Sequence, residues 1–405
     1  ISLYGHWLAN RLIEVESIRV ILKVRGASPK SKRVRARSHQ PEALRKIKVF
    51  YYNSWKEASL YQWESLQPGA RLMGPALVIS GNSTTVIDPG WQFQLDENNH
   101  AILRKQSDER LQRSRHGKEA ALELFSNRFT AIAQEMGALL QRTAFSVNVK
   151  ERLDFSCALM DAQGYLVVNA PHIPVHLGSM GVCVREVLKV LPLKPGDVAI
   201  TNHPAYGGSH LPDVTLIKPV YNKHKLIGFV AVRAHHAEIG GMKPGSMPAH
   251  ASTLAEEGII IKPMYLVKAG KPQWSKIREV LTSGPYPTRL PEENLADLNG
   301  ALAAITLGEK GLMELSRQHS NRETTFYMKA LRAYAATLLH QQLKLSRSKV
   351  FQATEKLDDG SVLRVHIMIK PAQLWIDFTG TSPVHAGNLN ATPAIVQSVI
   401  LYVLR

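Results

Sequence analysis
Residues 226–234 make an apolar run that includes Ile227, Phe229, Val230 and Val232. A strand apolar on both faces belongs at the centre of a sheet covered on both sides. Asn222-Lys-His-Lys225 joins it to a second strand-like run, residues 215–221, so the centre of that sheet is a hairpin. Another hairpin is expected upstream, with residues 155–160 and 165–169 flanking Asp161-Ala-Gln-Gly164, and further strands at 197–201, 362–369 and 374–378. Helical spacing begins near Gly117, where Phe125, Phe129, Ile132, Met136 and Leu139 recur on one face. A helix is expected to open at Ser179, and residues 292–345 read as two helices broken near His319-Ser320. Strand pairs alternate with long helical blocks and no segment repeats, so the expected class is α+β rather than a doubly wound sheet.

Residues 46–104 read as a small β-rich unit of their own, with strands at 47–51, 76–80 and 91–95 and turns at Gln67-Pro-Gly-Ala and Asp88-Pro-Gly. The expected division is therefore residues 1–104, a charged linker at 105–118, and a larger mixed domain at 119–405. The first residue is not Met and the last residues run out in mid-pattern, as in a fragment cut at both ends. The net charge of +17 is concentrated in residues 25–48 and 104–118. Neither run is interleaved with aromatics or precedes a nucleic-acid-binding pattern, so both read as solvated faces, and nucleic acid is not the expected partner. No long apolar span or leader pattern is visible, and the two cysteines, Cys157 and Cys183, sit in apolar patterns expected to be core. A cytoplasmic protein is the default expectation.

Four loops at strand ends concentrate Gly, Pro, His and carboxylates: residues 150–156, 171–179, 202–213 and 233–241. His210, Asp213 and His235, with Glu151 as a fourth ligand, would form a two-imidazole, two-carboxylate set suited to Mn, Fe or Zn. The alternative for each histidine is a loop cap or a backbone hydrogen bond. His172 and His176 are candidates for substrate contact or for supporting the ligands, and Tyr206, Ser209 and Arg233 for holding an anionic group. No G-x-x-x-x-G-K-[ST] occurs, so the chain carries no ATP site of that type.

The same loops resemble the signature blocks of the hydantoinase B/oxoprolinase family. These are Glu151-Arg-Leu-Asp-Phe-Ser-Cys-Ala, His172-Ile-Pro-Val-His-Leu-Gly-Ser-Met180, Gly207-Gly-Ser-His-Leu-Pro-Asp213, Ala234-His-His-Ala-Glu-Ile-Gly-Gly241 and Asp377-Phe-Thr-Gly-Thr-Ser382, in that order. Pro244-Gly-Ser-Met-Pro248 and Glu256-Glu-Gly258 lie between them. Residues 46–104 resemble the C-terminal end of a hydantoinase A unit. Two positions depart from the usual pattern: His203 stands in Asn202-His203-Pro204 where an aspartate is usual, and Asn299 stands where an arginine is usual.

The resemblance implies an ATP-dependent hydrolase that opens 5-oxoproline or a similar lactam or hydantoin ring. A hydantoinase A-type unit outside this chain would bind ATP and activate the amide, and homo- or hetero-oligomers would be expected. The related acetone carboxylases build a Mn site in their B-like subunit, and matching that motif implicates Glu151, His210, Asp213 and His235. The resemblance adds Asp377 to the substrate contacts and makes His236 or Glu238 the candidate general base. The rival readings are an acetone-carboxylase-like ligase subunit and an inactive remnant or binding module.

Overall fold
The computed structural model describes residues 18–22, 37–51, 54–106, 118–170 and 173–404. The chain is α+β, and its described residues divide into two compact units, one up to Ala121 and one from Leu122.

The smaller unit is all β among its described strands. Strands β1 (Arg45–Tyr51), β2 (Ser54–Gln62), β4 (Ala76–Ile79) and β5 (Thr84–Ile87) form one sheet, and β3 (Arg71–Met73), β6 (Trp91–Leu95) and β7 (Ala101–Lys105) another. Leu72, Ile87 and Phe93 are fully buried in a core that holds the two together. The basic residues Arg104 and Lys105 belong to β7, so the charged run begins inside a strand. Residues 107–117, the rest of the expected linker, lie outside the described residues.

In the larger unit a seven-stranded antiparallel sheet runs in the order β14-β13-β10-β11-β12-β8-β9. Its strands are β8 (Phe155–Asp161), β9 (Leu166–Asn169), β10 (Val198–Thr201), β11 (Asp213–Asn222), β12 (Lys225–His235), β13 (Met264–Lys268) and β14 (Lys271–Pro272). The apolar run of residues 226–234 lies in β12, between β11 and β8, as the two-faced pattern requires. Val230 and Val232 pack with Phe129, Met136 and Leu298, from helices α1 (Lys118–Thr143) and α6 (Pro291–His319). Phe229 and Ala231 face Met180 and Val184 of α3 (His176–Val190).

Along α1, Phe125, Phe129 and Met136 are buried as the spacing predicts, whereas Leu139 is half-exposed and Leu140 takes the buried position. A helix turns about 100° per residue, so a seam that drifts is met by the neighbouring residue. The break near His319-Ser320 is real. Ser320 has φ of 72° and separates α6 from α7 (Asn321–Leu345). Helix α3 opens at His176, three residues earlier than Ser179. Short helices α2 (Val147–Lys150) and α4 (Leu254–Glu257), and α5 (Trp274–Thr282), also escaped the periodicity. The final strand pair is a triplet, β15 (Lys349–Lys356), β16 (Val362–Lys370) and β17 (Gln373–Asp377), followed by α8 (Pro393–Leu404).

Candidate metal centre
Antiparallel pairing decides which side chains meet. The first residue of β11, Asp213, pairs with the last of β12, His235, and Ala234 pairs with Phe155 at the start of β8. Three neighbouring strands thus open or close at one sheet edge. Asp154, just ahead of β8, accepts the His235 N–H with its carbonyl at 2.9 Å. His210 reaches the same edge because the turn before β11 folds back, with the Asp213 N–H donating to the His210 carbonyl at 3.1 Å.

Asp213 is the hub. Its Oδ2 lies 3.1 Å from His210 Nδ1 and 3.2 Å from His176 Nε2, and its Oδ1 lies 3.3 Å from His235 Nδ1. Ser209 donates its hydroxyl to Oδ2. Asp154 Oδ2 stands 3.7 Å from His235 Nδ1. Two overlapping groups, His210–Asp213–His235 and Asp154–His176–Asp213, each converge closely enough to hold an ion, and they share Asp213.

Burial opposes ionisation of Asp213, but the imidazoles of His176, His210 and His235 outweigh it and hold the carboxyl well below its ordinary range. The pKa of His176 is lowered, because burial disfavours its charged form, and its Nδ1 meets the Ser156 hydroxyl at 3.0 Å. Burial also works against charging His210, but the neighbouring Asp213 carboxylate prevails and raises its pKa.

The donor set fits a divalent cation. His210 Nδ1 and Asp213 Oδ1 are buried and make no hydrogen bond, although each has an oppositely polarised atom close by. Buried polar atoms left unpaired cost about 1–3 kcal/mol each, whereas ligation satisfies them by lone-pair donation. Imidazole nitrogen with carboxylate oxygen suits Mn, Fe or Zn.

Beside the cluster is a cleft of about 460 Å³. Ser209 and His210 line it together with Ser252, Thr253, Glu257, Asn388, Asn390 and Thr392. Neutral amides and hydroxyls of this kind can donate and accept hydrogen bonds around a small polar ring.

The other expected site residues are distributed as follows. Glu151 is exposed at the end of α2 and enters neither converging group; the carboxylate that arrives is Asp154. The turn is made by Leu153, whose φ is 55°. Asp297 fixes that segment by accepting the Phe145 and Ser146 N–H groups at 2.6 and 3.0 Å. Arg233 is completely buried rather than lining the cleft. Its guanidinium donates to Thr215 Oγ1 at 2.8 Å, Ser179 Oγ at 2.6 Å and the Gly207 carbonyl at 2.8 Å, tying β11, α3 and the Gly207 turn together.

His236 is buried against Asn294, 3.1 Å from its Nδ1, and burial lowers its pKa. Glu238 accepts from Thr288 Oγ1 at 2.5 Å, from the Gly240 and Arg289 N–H groups, and from Arg289 Nη1 at 2.8 Å, so its oxygens are already engaged. Tyr206 packs on the α3 core and meets the His203 ring edge-on. Asp377 is exposed and accepts from the Thr379 N–H and hydroxyl. His172 lies outside the described residues. At the two departures, His203 caps a turn by accepting the Ala205 N–H, and Asn299 Nδ2 donates to the Leu295 carbonyl within α6. Asp154 and Glu257 were not singled out by spacing, although both lie inside quoted blocks, Glu151-Arg-Leu-Asp and Glu256-Glu-Gly.

The Glu238 clasp yields a first expected result. Burial alone would raise its pKa, but the bonds from Thr288, Arg289 and Gly240 lower it. A carboxyl depressed on folding stabilises above its unfolded pKa of about 4.3, and loses that contribution as the pH falls toward the folded value. Glu238→Gln should cost about 2–3 kcal/mol at pH 7, read from denaturant unfolding, and the gap to wild type should shrink below pH 4.

Comparison with known proteins follows the same division of the chain. The family model for hydantoinase B/oxoprolinase matches residues 118–405, and that for the hydantoinase/oxoprolinase C-terminal domain matches residues 14–106. The 5-oxoprolinase 1 of Arabidopsis thaliana is 37% identical over 99% of this chain and 34% of its own length. The 5-oxoprolinase of Saccharomyces cerevisiae is 39% identical over 88% of this chain and 29% of its own. The chain thus spans about a third of the length of these relatives. Among solved structures, the ATP-dependent caprolactamase of Pseudomonas jessenii has the same fold over 70% of this chain and 49% of its own, with a TM-score of 0.63 at 23% identity. Among the described residues no helix is long and apolar enough to cross a membrane. With residues of four signature blocks meeting around Asp213 and a family model spanning residues 118–405, the chain belongs to the hydantoinase B/oxoprolinase family.

Proposed function
We infer that this chain is the ring-opening part of an ATP-dependent cyclic amide hydrolase of the 5-oxoprolinase/hydantoinase type. The observation that carries the reading is the convergence of His210, Asp213 and His235, with His210 Nδ1 and Asp213 Oδ1 buried and making no hydrogen bond, beside a cleft that His210 lines. Activation of the amide by ATP falls to a hydantoinase A-type unit, in keeping with the absence of a phosphate-binding loop motif from the sequence.

His210, Asp213 and His235 are the ligands in this reading, and Asp154 rather than Glu151 is the second carboxylate. A divalent cation held there would supply Lewis acidity for an unreactive amide carbon. His176, backed by Ser156, orients Asp213 from within the protein, and Ser209 occupies a further lone pair of the same carboxylate. Asn388 Oδ1, which accepts no hydrogen bond among the described residues, is left to accept a ring N–H, whereas Asn390 is held by His385 and Gly387 and Ser252 and Thr253 by Glu256.

Metal content of the purified chain tests the ligand set. Asp154→Ala should weaken metal binding by at least about tenfold, whereas Glu151→Ala should leave it within about twofold of wild type. The reverse order would restore Glu151 as ligand. The activity is tested by adding 5-oxoproline or hydantoin and ATP to the chain together with its ATP-binding unit. Absence of ring-opened product in the metal-loaded protein would overturn the function.

A further inference from the structure
Resting on that reading, we propose that Glu257 is the acid that delivers a proton to the ring nitrogen as the carbon–nitrogen bond breaks, so that ATP use is coupled to ring opening. His210 and Glu257 are the ionisable residues lining the cleft, and His210 is committed to Asp213. The Glu257 carboxylate makes no hydrogen bond or ion pair among the described residues, unlike Glu238. Its backbone is nonetheless fixed. Thr253 and Glu256 form a capping box at the start of α4, the Glu257 carbonyl accepts the Met247 N–H at 3.0 Å, and a Cβ built at Gly258 would lie 3.5 Å from the Leu211 Cβ. A rigidly mounted, unengaged carboxyl beside the His210 loop is suited to proton transfer.

The chemistry explains why such a proton matters. Phosphorylation of the lactam oxygen by a nucleoside triphosphate gives a phosphorylated imidate. Water adds across its C=N bond, placing hydroxyl on carbon and hydrogen on nitrogen. The tetrahedral carbon then carries hydroxyl, phosphate and ring nitrogen. If phosphate leaves with the C–O electron pair and the hydroxyl proton is lost, the lactam is regenerated and the nucleotide is wasted. If Glu257 protonates nitrogen, the C–N bond breaks with its electron pair moving to nitrogen, and the hydroxyl proton returns to the Glu257 carboxylate. The products of this branch are an amine and an acyl phosphate, which a second water converts to carboxylate and phosphate. An amide nitrogen is a poor leaving group unless protonated, whereas phosphate needs no proton, so the acid selects the productive branch.

The test compares wild type and Glu257→Gln, each with the ATP-binding unit, by counting ring-opened product per phosphate released. The expected result is continuing lactam-dependent phosphate release with product per phosphate reduced about 100-fold or more. Unchanged coupling, or product and phosphate falling together in a variant that melts with wild type, would overturn the proposal. If the glutamine variant does not fold, Glu257→Asp reads the same ratio: reduced coupling supports the role and intact coupling overturns it. A wild-type protein that neither opens a ring nor releases phosphate overturns the parent function as well, which distinguishes the two failures.

Discussion
Asp213→Asn should eliminate stoichiometric binding of divalent metal, measured as metal content after dialysis, and lower affinity by well over about 100-fold in titration. Ligand-supporting groups alone are worth about 10–100-fold in affinity, and Asp213 is both a donor and the point to which three imidazoles are oriented. The asparagine is nearly isosteric, but it replaces an anionic oxygen by an N–H₂ group, which cannot ligate and would face imidazole nitrogens. In the metal-free protein the same change should cost about 3 kcal/mol at neutral pH, because a buried charge partner is removed from one side of a cluster. The wild-type carboxyl is held well below its ordinary pKa, so this difference is present above the unfolded value of about 3.9 and fades as the pH falls below it. Retention of one equivalent of metal by Asp213→Asn would remove the basis for placing the ion at this edge.

Gly207→Ala should be strongly destabilising. Gly207 has φ of 79°, and a Cβ there would lie 2.5 Å from Cys183 N and 2.7 Å from Cys183 Cα, both backbone atoms of α3. Left-handed backbone costs about 1–2 kcal/mol for a residue with a side chain, and a forced displacement of packed backbone about 1–3 kcal/mol more. The combined loss should be about 2–5 kcal/mol in unfolding free energy. It should also weaken metal binding, because the Gly207 carbonyl is the anchor for Arg233 and Ser209 and His210 follow directly. Gly360→Ala is the matched comparison. Its φ is 87°, but nothing lies within 4 Å of the added Cβ, so only the backbone part of the cost applies. Equal melting of the two variants would show that the close approach of the turn to α3 contributes nothing.

The family signature was legible because chemistry and backbone constraints are local. Gly207-Gly-Ser-His-Leu-Pro-Asp213 carries its own turn, and the apolar run ending near His235 has to be a central strand. Those two facts were enough to bring His210, Asp213 and His235 into one expectation, and the α6–α7 break was readable from its local pattern. The short helices α2 and α4 were not, because four residues do not complete enough turns to show a period.

What the sequence could not decide is which neighbour of a legible residue faces the site. Glu151 and Asp154 stand three apart in one turn, and either carboxylate satisfies the spacing. The left-handed Leu153 and the strand pairing that begins at Phe155 send Asp154 to the sheet edge and Glu151 to solvent. Glu238 and Arg233 likewise have the right chemistry at strand ends, but partners 50 and 54 residues away, Thr288 and Ser179, engage them. Among the described residues no such hydrogen-bond partner reaches the Glu257 carboxyl. Residue type and local pattern set what each side chain can do, while contacts distant in sequence set which groups are satisfied. Only tertiary packing brings those partners together, so the sequence by itself determined the family and the residue types of the candidate site, and the structure decided which of them converge.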